Sequence, residues 1–267
     1  VVQGAAVATV VLNIICLWKQ EPRDPVATRH ERPTAGFAEA FAAYRKEKGT
    51  IRLLVAVAFG SAAFSMQDVL LEPYGGEVLG MSVGATTELT ALLAAGTLAG
   101  LAIAARVLGR GADPHRLAAH GLVAGVVAFA MVALAAPLAT PAVFAFGVLL
   151  IGFGGGLFVV ATLFAAMALA AGENTGLALG AWGAVQASAA GLAIATGGIV
   201  RDVTASLAAS GALGSALTDV SVGYGAVYQL EIALLFLTLV AIGPLARYSL
   251  APKTQDNKPF GLEQLPN

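Results

Sequence analysis

The stretch TTELTALLAAGTLAGLAIAARVLGRGADPHRLAAHGLVAGVVAFAMVALAA, Thr86–Ala136, decides how the chain is read. Two apolar runs, Thr86–Val107 and Leu117–Ala136, flank a short connection that carries Arg110 and Arg116. At 1.5 Å per residue each run is long enough to cross a hydrocarbon layer about 30 Å thick. A hydrophobic run, a basic hinge and a second hydrophobic run make a pair of membrane spans.

The same pattern continues on both sides. Further spans are expected at Val1–Trp18, Ile51–Leu71, Pro141–Ala171, Thr175–Val200 and Ala226–Leu245. Mean hydropathy is +0.81. Charged residues make up 12% of the chain, about half the share of a soluble domain. The expected fold is an all-α polytopic membrane protein, a bundle of about seven transmembrane helices. The chain opens inside an apolar segment and without an initiator Met, so it is expected to be the C-terminal portion of a longer polypeptide. Residues 1–18 then form one transmembrane helix, 19–50 a polar loop, 51–250 six helices and 251–267 a tail. Within the loop, AGFAEAFAAYRKEKG places Phe37, Phe41 and Tyr44 at helical spacing. That piece either lies on the membrane surface or packs under the bundle. Cys16 is the single cysteine, which excludes an internal disulfide.

Orientation follows from charge. Seven alternating spans put the 19–50 loop, the Leu108–Arg116 connection, the Gly172–Asn174 turn and the tail on one side. Of the 15 Lys and Arg residues, only Arg201 falls on the other. The positive-inside rule makes the basic side, C-terminus included, cytoplasmic in a bacterial inner membrane. Four GxxxG pairs, Gly96/Gly100, Gly121/Gly125, Gly152/Gly156 and Gly176/Gly180, suit close helix packing and by themselves identify no site.

Polar residues in or beside a span are candidates for function. They concentrate in SMQDVLLEPYGGEVLG, Ser65–Gly80, which holds Gln67, Asp68, Glu72, Tyr74 and Glu77. Asp68 lies about 25 Å along a helix from Ile51, near the outer boundary. Asp68 and Glu72 are four apart, share a helical face and repel when both are ionised. Pro73 is expected to end that helix and Gly75–Gly76 to turn the chain. This cluster is either a ligand, partner or proton-handling site at the outer mouth, or a wet helix terminus. Glu88 is placed to face it from the next span. Gln186 is suited to a hydrogen bond between helices, Trp182 to packing, and Gln229 and Glu231 to the interface. No P-loop, G-x-S-x-G, HExxH or Cys/His cluster occurs, so neither an enzyme nor a metal site is expected.

Four stretches carry a resemblance: FSMQDVLLEPYGGEVLGMSVGATTELTAL (Phe64–Leu92), LIGFGGGLFVVATLFAAMAL (Leu150–Leu169), GLALGAWGAVQASAAGLAIATGGIVRD (Gly176–Asp202) and FGLEQLP (Phe260–Pro266). Together they resemble the PucC/LhaA, or bacteriochlorophyll delivery, family of phototrophic bacteria. The first stretch is the specific one. The resemblance implies a major-facilitator-like architecture, with this chain as the last helix of one half, the central loop and the whole second half. The connection RVLGRGADPHR lacks the usual facilitator Asp spacing, which argues against an ordinary transport cycle. Light-harvesting antenna assembly in an intracytoplasmic membrane is the implied role, by delivering bacteriochlorophyll, chaperoning antenna polypeptides, or both. Implied partners are the lipid bilayer, antenna polypeptides with or without a reaction centre, and bacteriochlorophyll; nucleic acid is not among them. Met66, Gln67, Asp68, Glu72, Pro73, Tyr74, Gly75 and Gly76 carry over as members of the family stretch. His115 and His120 sit too near the basic connection to be expected as axial pigment ligands. The rival reading is a proton-coupled secondary transporter of the major facilitator type using Asp68, Glu72 or Glu88.

Overall fold

The structure, a computed structural model, describes residues 10–12, 14, 37–46, 49–169 and 175–248. Most of the expected first span, much of the central loop, the Gly172–Asn174 turn and the tail with FGLEQLP lie outside them. The chain divides into two compact units, Val1–Glu39 and Ala40–Asn267, and the architecture below is that of the second.

The described elements are helical: α1 (Phe37–Lys46), α2 (Thr50–Ser65), α3 (Leu71–Glu77), α4 (Val83–Leu108), α5 (Pro114–Ala135), α6 (Pro141–Leu169), α7 (Thr175–Ala209) and α8 (Ser221–Tyr248). Five of them, α4 to α8, are long and apolar enough to cross a membrane. α2 is also apolar but has 16 residues, about 24 Å, shorter than a hydrocarbon layer of about 30 Å. The result is a multi-pass helical membrane protein.

Local chemistry sets the helix starts. The Ser82 hydroxyl caps α4 by accepting from the Ala85 N–H at 3.3 Å. Asp113 caps α5 by accepting from the His115 N–H at 2.8 Å, with Pro114 in the first turn where its missing N–H costs nothing. Two boundaries differ from expectation. α7 runs 35 residues to Ala209, well past Val200, and α8 begins at Ser221 rather than Ala226. At about 52 Å, α7 exceeds the hydrocarbon thickness, so its last turns carry Arg201 and Asp202 as helix beyond the apolar zone.

Packing rests on bare backbone. A side chain at Gly156 would meet the Thr97 carbonyl at 2.5 Å, and Gly96, Gly100 and Gly152 face the opposing backbone just as closely, so α4 and α6 lie in direct contact. Gly121 and Gly154 seat α5 on α6 in the same way. The fourth pair is different, because a side chain at Gly176 or Gly180 would meet nothing within 4 Å from another element among the described residues. α4 and α6 run parallel, with Gly96 against Leu149 and Gly100 against Phe153. Leu53, early in α2, packs with Ala165 and Ala166, late in α6, and with Leu245, late in α8. The start of α2, the α4–α5 connection and the end of α8 therefore share one end of the bundle. Arg52, Arg106, Arg110 and Arg116 gather there, and Arg201 stands at the far end. In α1, Tyr44 is buried against Ala178 beside Leu54, which packs that side of the helix on the bundle.

Candidate functional site

The far end is built around a break in the chain. After Ser65 the backbone leaves helix for tight turns, with the Asp68 N–H on the Ser65 carbonyl (3.1 Å) and the Leu70 N–H on that of Gln67 (2.8 Å). It re-enters helix as α3. Pro73 does not end a helix here; it occupies the first turn of α3, where its N–H would have no partner. Gly75 and Gly76 are helical, and the positive φ that reverses the chain belongs to Gly80, at 62°. Gly75 is needed for space, since a side chain there would press on Thr86, Met81 and Leu89 at 3.1–3.3 Å.

This break separates Asp68 from Glu72, and the expected shared helical face does not form. Asp68 accepts from Gln67 Nε2 at 2.8 Å, while Glu72 accepts from the Thr90 hydroxyl at 2.8 Å. Asp68 is exposed at a cleft of about 170 Å³ whose walls include Phe64, Leu93 and Ile151. These apolar walls stand beside the Asp68 carboxyl.

The centre of the end is aromatic. Tyr74, only 1% exposed, sits 5.0 Å from the Phe144 ring and 5.3 Å from both Tyr224 and Tyr228, the last two edge-on. Its hydroxyl donates to the Val132 carbonyl at 3.2 Å, and burial raises its pKa. Outside this core, Glu77 accepts from Arg201 Nη2 and from the Tyr224 hydroxyl, each at 2.7 Å. Arg201 also holds Asp202 at 2.9 Å and lies 4.7 Å over the Tyr224 ring. An apolar pocket of about 430 Å³ opens beside Tyr74 and Tyr228, closed by Leu213 and Leu217 of the α7–α8 connection.

Of the expected residues, Gln67, Asp68, Glu72 and Tyr74 come together at this end, and Met66 is buried against Gly197 of α7. Glu88 is exposed on α4 and Gln186 half-buried along α7, and neither joins the contacts above. Trp182 packs beside Leu53, Val57 and Ala165 and donates to the Thr162 hydroxyl at 3.2 Å. Three residues of the end go beyond the expected site, Arg201, Tyr224 and Tyr228, and a fourth, Glu231, is placed differently from expectation. Glu231 is fully buried rather than interfacial. Its spacing from Tyr224 and Tyr228, seven and three residues, marks one helical face and is the available signal. Arg201 finds its acid in Glu77 of α3.

Comparison with known proteins places this architecture. Residues 1–250 match the family model described as PUCC protein. A Rhodobacter capsulatus protein, described as an uncharacterized protein in the puhA-bchM intergenic region, is 48% identical over all of this chain and 56% of its own length. Protein PucC of Cereibacter sphaeroides is 45% identical over 95% of this chain and 54% of its own. Protein PucC of Rhodovulum sulfidophilum is 51% identical over 76% of this chain and 45% of its own. The chain spans about half the length of these relatives. With the family model covering nearly all of it, and with a helical membrane bundle beneath that match, the chain belongs to the PUCC protein family.

Proposed function

We propose that this chain is part of an assembly factor for light-harvesting antenna complexes in a phototrophic bacterium, acting by delivering bacteriochlorophyll, chaperoning antenna polypeptides, or both. In this reading it sits in the inner, intracytoplasmic membrane with its basic end toward the cytoplasm, as the second half of a major-facilitator-like bundle of which seven spans fall in this sequence. Family membership carries the reading, and one structural observation favours a helical client. On α7, Gly180, Gly183, Gly191 and Gly198 fall along one stripe, and a side chain at any of them would meet nothing within 4 Å among the described residues. Leu192, Ile199 and Val203 on the same helix are 71%, 64% and 54% exposed. Such a surface lets a transmembrane helix or a flat macrocycle approach the backbone closely, the main route to association where lipid supplies no hydrophobic drive.

The test is capture of antenna subunits. Gly180→Val is expected to leave the melting temperature of the purified protein unchanged and to cut co-purified antenna polypeptide and pigment at least several-fold. Wild-type protein that isolates gently with neither would sink the proposal. A fall in melting temperature would assign the stripe to the protein's own packing. The rival reading, proton-coupled transport, has substrate flux in liposomes as its signature.

A further inference from the structure

At the basic end of the bundle, the start of α2 and the last third of α8 enclose an apolar groove that ends on an arginine. Its volume is about 550 Å³, and its walls include Ile51, Val55 and Phe59 of α2 and Leu237 and Val240 of α8. Val240 is 69% exposed, and Ile51, Val55 and Leu237 are exposed with it. From Ile51 to Phe59 the apolar wall runs about 12 Å along α2. Arg52 completes the lining, in the first turn of that helix.

The arginine is anchored to main chain. Pro244 lies inside α8 and withholds the N–H that would bond the Val240 carbonyl. Beside that defect, the Ala241 carbonyl accepts from Arg52 Nε at 3.0 Å. A guanidinium holds its five donors in one rigid plane, so fixing Nε also fixes the direction of the Nη1 and Nη2 donors. No acid pairs with them among the described residues, and Arg52 is exposed. An oriented pair of guanidinium nitrogens suits a bidentate phosphate, and the groove beneath suits a hydrocarbon chain. The segment that leads into α2, RKEKGTIR (Arg45–Arg52), carries four cations and one acid, and Arg45 and Lys46 are exposed. Basic segments at a membrane boundary draw anionic headgroups.

We propose that this groove binds an anionic phospholipid, with its phosphate on Arg52 and one acyl chain between α2 and α8 along Val55, Phe59, Leu237 and Val240. The site is independent of antenna assembly. To test it, the full-length protein is placed in phosphatidylcholine vesicles with a trace of photoreactive lipid. The probe is phosphatidylglycerol or phosphatidylcholine, each with the same reactive acyl chain; in the second, the choline cation offsets the phosphate. Phosphatidylglycerol is expected to label the 51–59 and 237–241 segments about fivefold more, the worth of one basic group at an anionic surface. Arg52→Gln keeps a donor for the Ala241 carbonyl, removes the charge, and should bring the two probes level. Val55→Trp fills the groove with Arg52 in place and should cut labelling by both, so the test does not hang on one variant folding. Equal labelling in the wild type, or a preference that survives Arg52→Gln, overturns the proposal. So do groove segments that neither probe reaches, which would show polypeptide covering them.

Discussion

Gly152→Val is expected to destabilise the protein by about 3 kcal/mol, near the upper end of what overpacking costs. A side chain at Gly152 would run into the Leu93 carbonyl and would lie 2.9 Å from the Thr97 nitrogen, both rigid helical backbone. No rotamer relieves a clash with the main chain, so α4 and α6 must separate and forfeit the contact around Gly96, Gly100 and Gly156. Gly180→Val is the internal control. It introduces the same side chain into the same kind of motif where nothing lies within 4 Å, and it should stay within about 0.5 kcal/mol of the wild type. Thermal unfolding in one detergent measures both. Equal losses would mean that the cost comes from valine in a helix rather than from the interface.

A loss at least as large is expected at Tyr74. Tyr74→Ala should cost about 3–5 kcal/mol, the range for emptying a fully buried aromatic site. The vacated space adjoins Phe144, Tyr224 and Tyr228, rings from two long helices that cannot collapse inward together. Tyr74→Phe keeps the ring packing and loses only the hydroxyl bond to Val132, an effect of about 1 kcal/mol. A large gap between the two variants would identify Tyr74 as the wedge that docks α3. Equal and small losses would mean that the far end repacks freely, and α3 would then not be a fixed element.

Much of the candidate site is legible in the sequence. Gln67, Asp68, Glu72, Tyr74 and Glu77 stand out because polar groups between apolar runs are rare, and they do converge at one end of the bundle. Their arrangement was not visible. Reading Asp68 and Glu72 as neighbours assumed one continuous helix, and the turn at residues 66–70 breaks it. Pro73 looked like a terminator, yet the first turn of a helix accepts proline. Glu231 looked interfacial from its distance to the start of the last expected span. That helix begins five residues earlier, which carries Glu231 further inside.

The sequence alone determined where apolar helices lie and that basic residues crowd their one shared end. Hydropathy and charge placement are sums over consecutive residues and need no knowledge of neighbours. Tertiary structure alone decided which glycines touch backbone and which stay open. It also decided which way the Tyr224–Tyr228–Glu231 face turns, and that Arg201 clasps Glu77, 124 positions away in sequence. Those outcomes depend on how each helix rotates about its axis against its partners, and no local pattern along one chain encodes that rotation by itself.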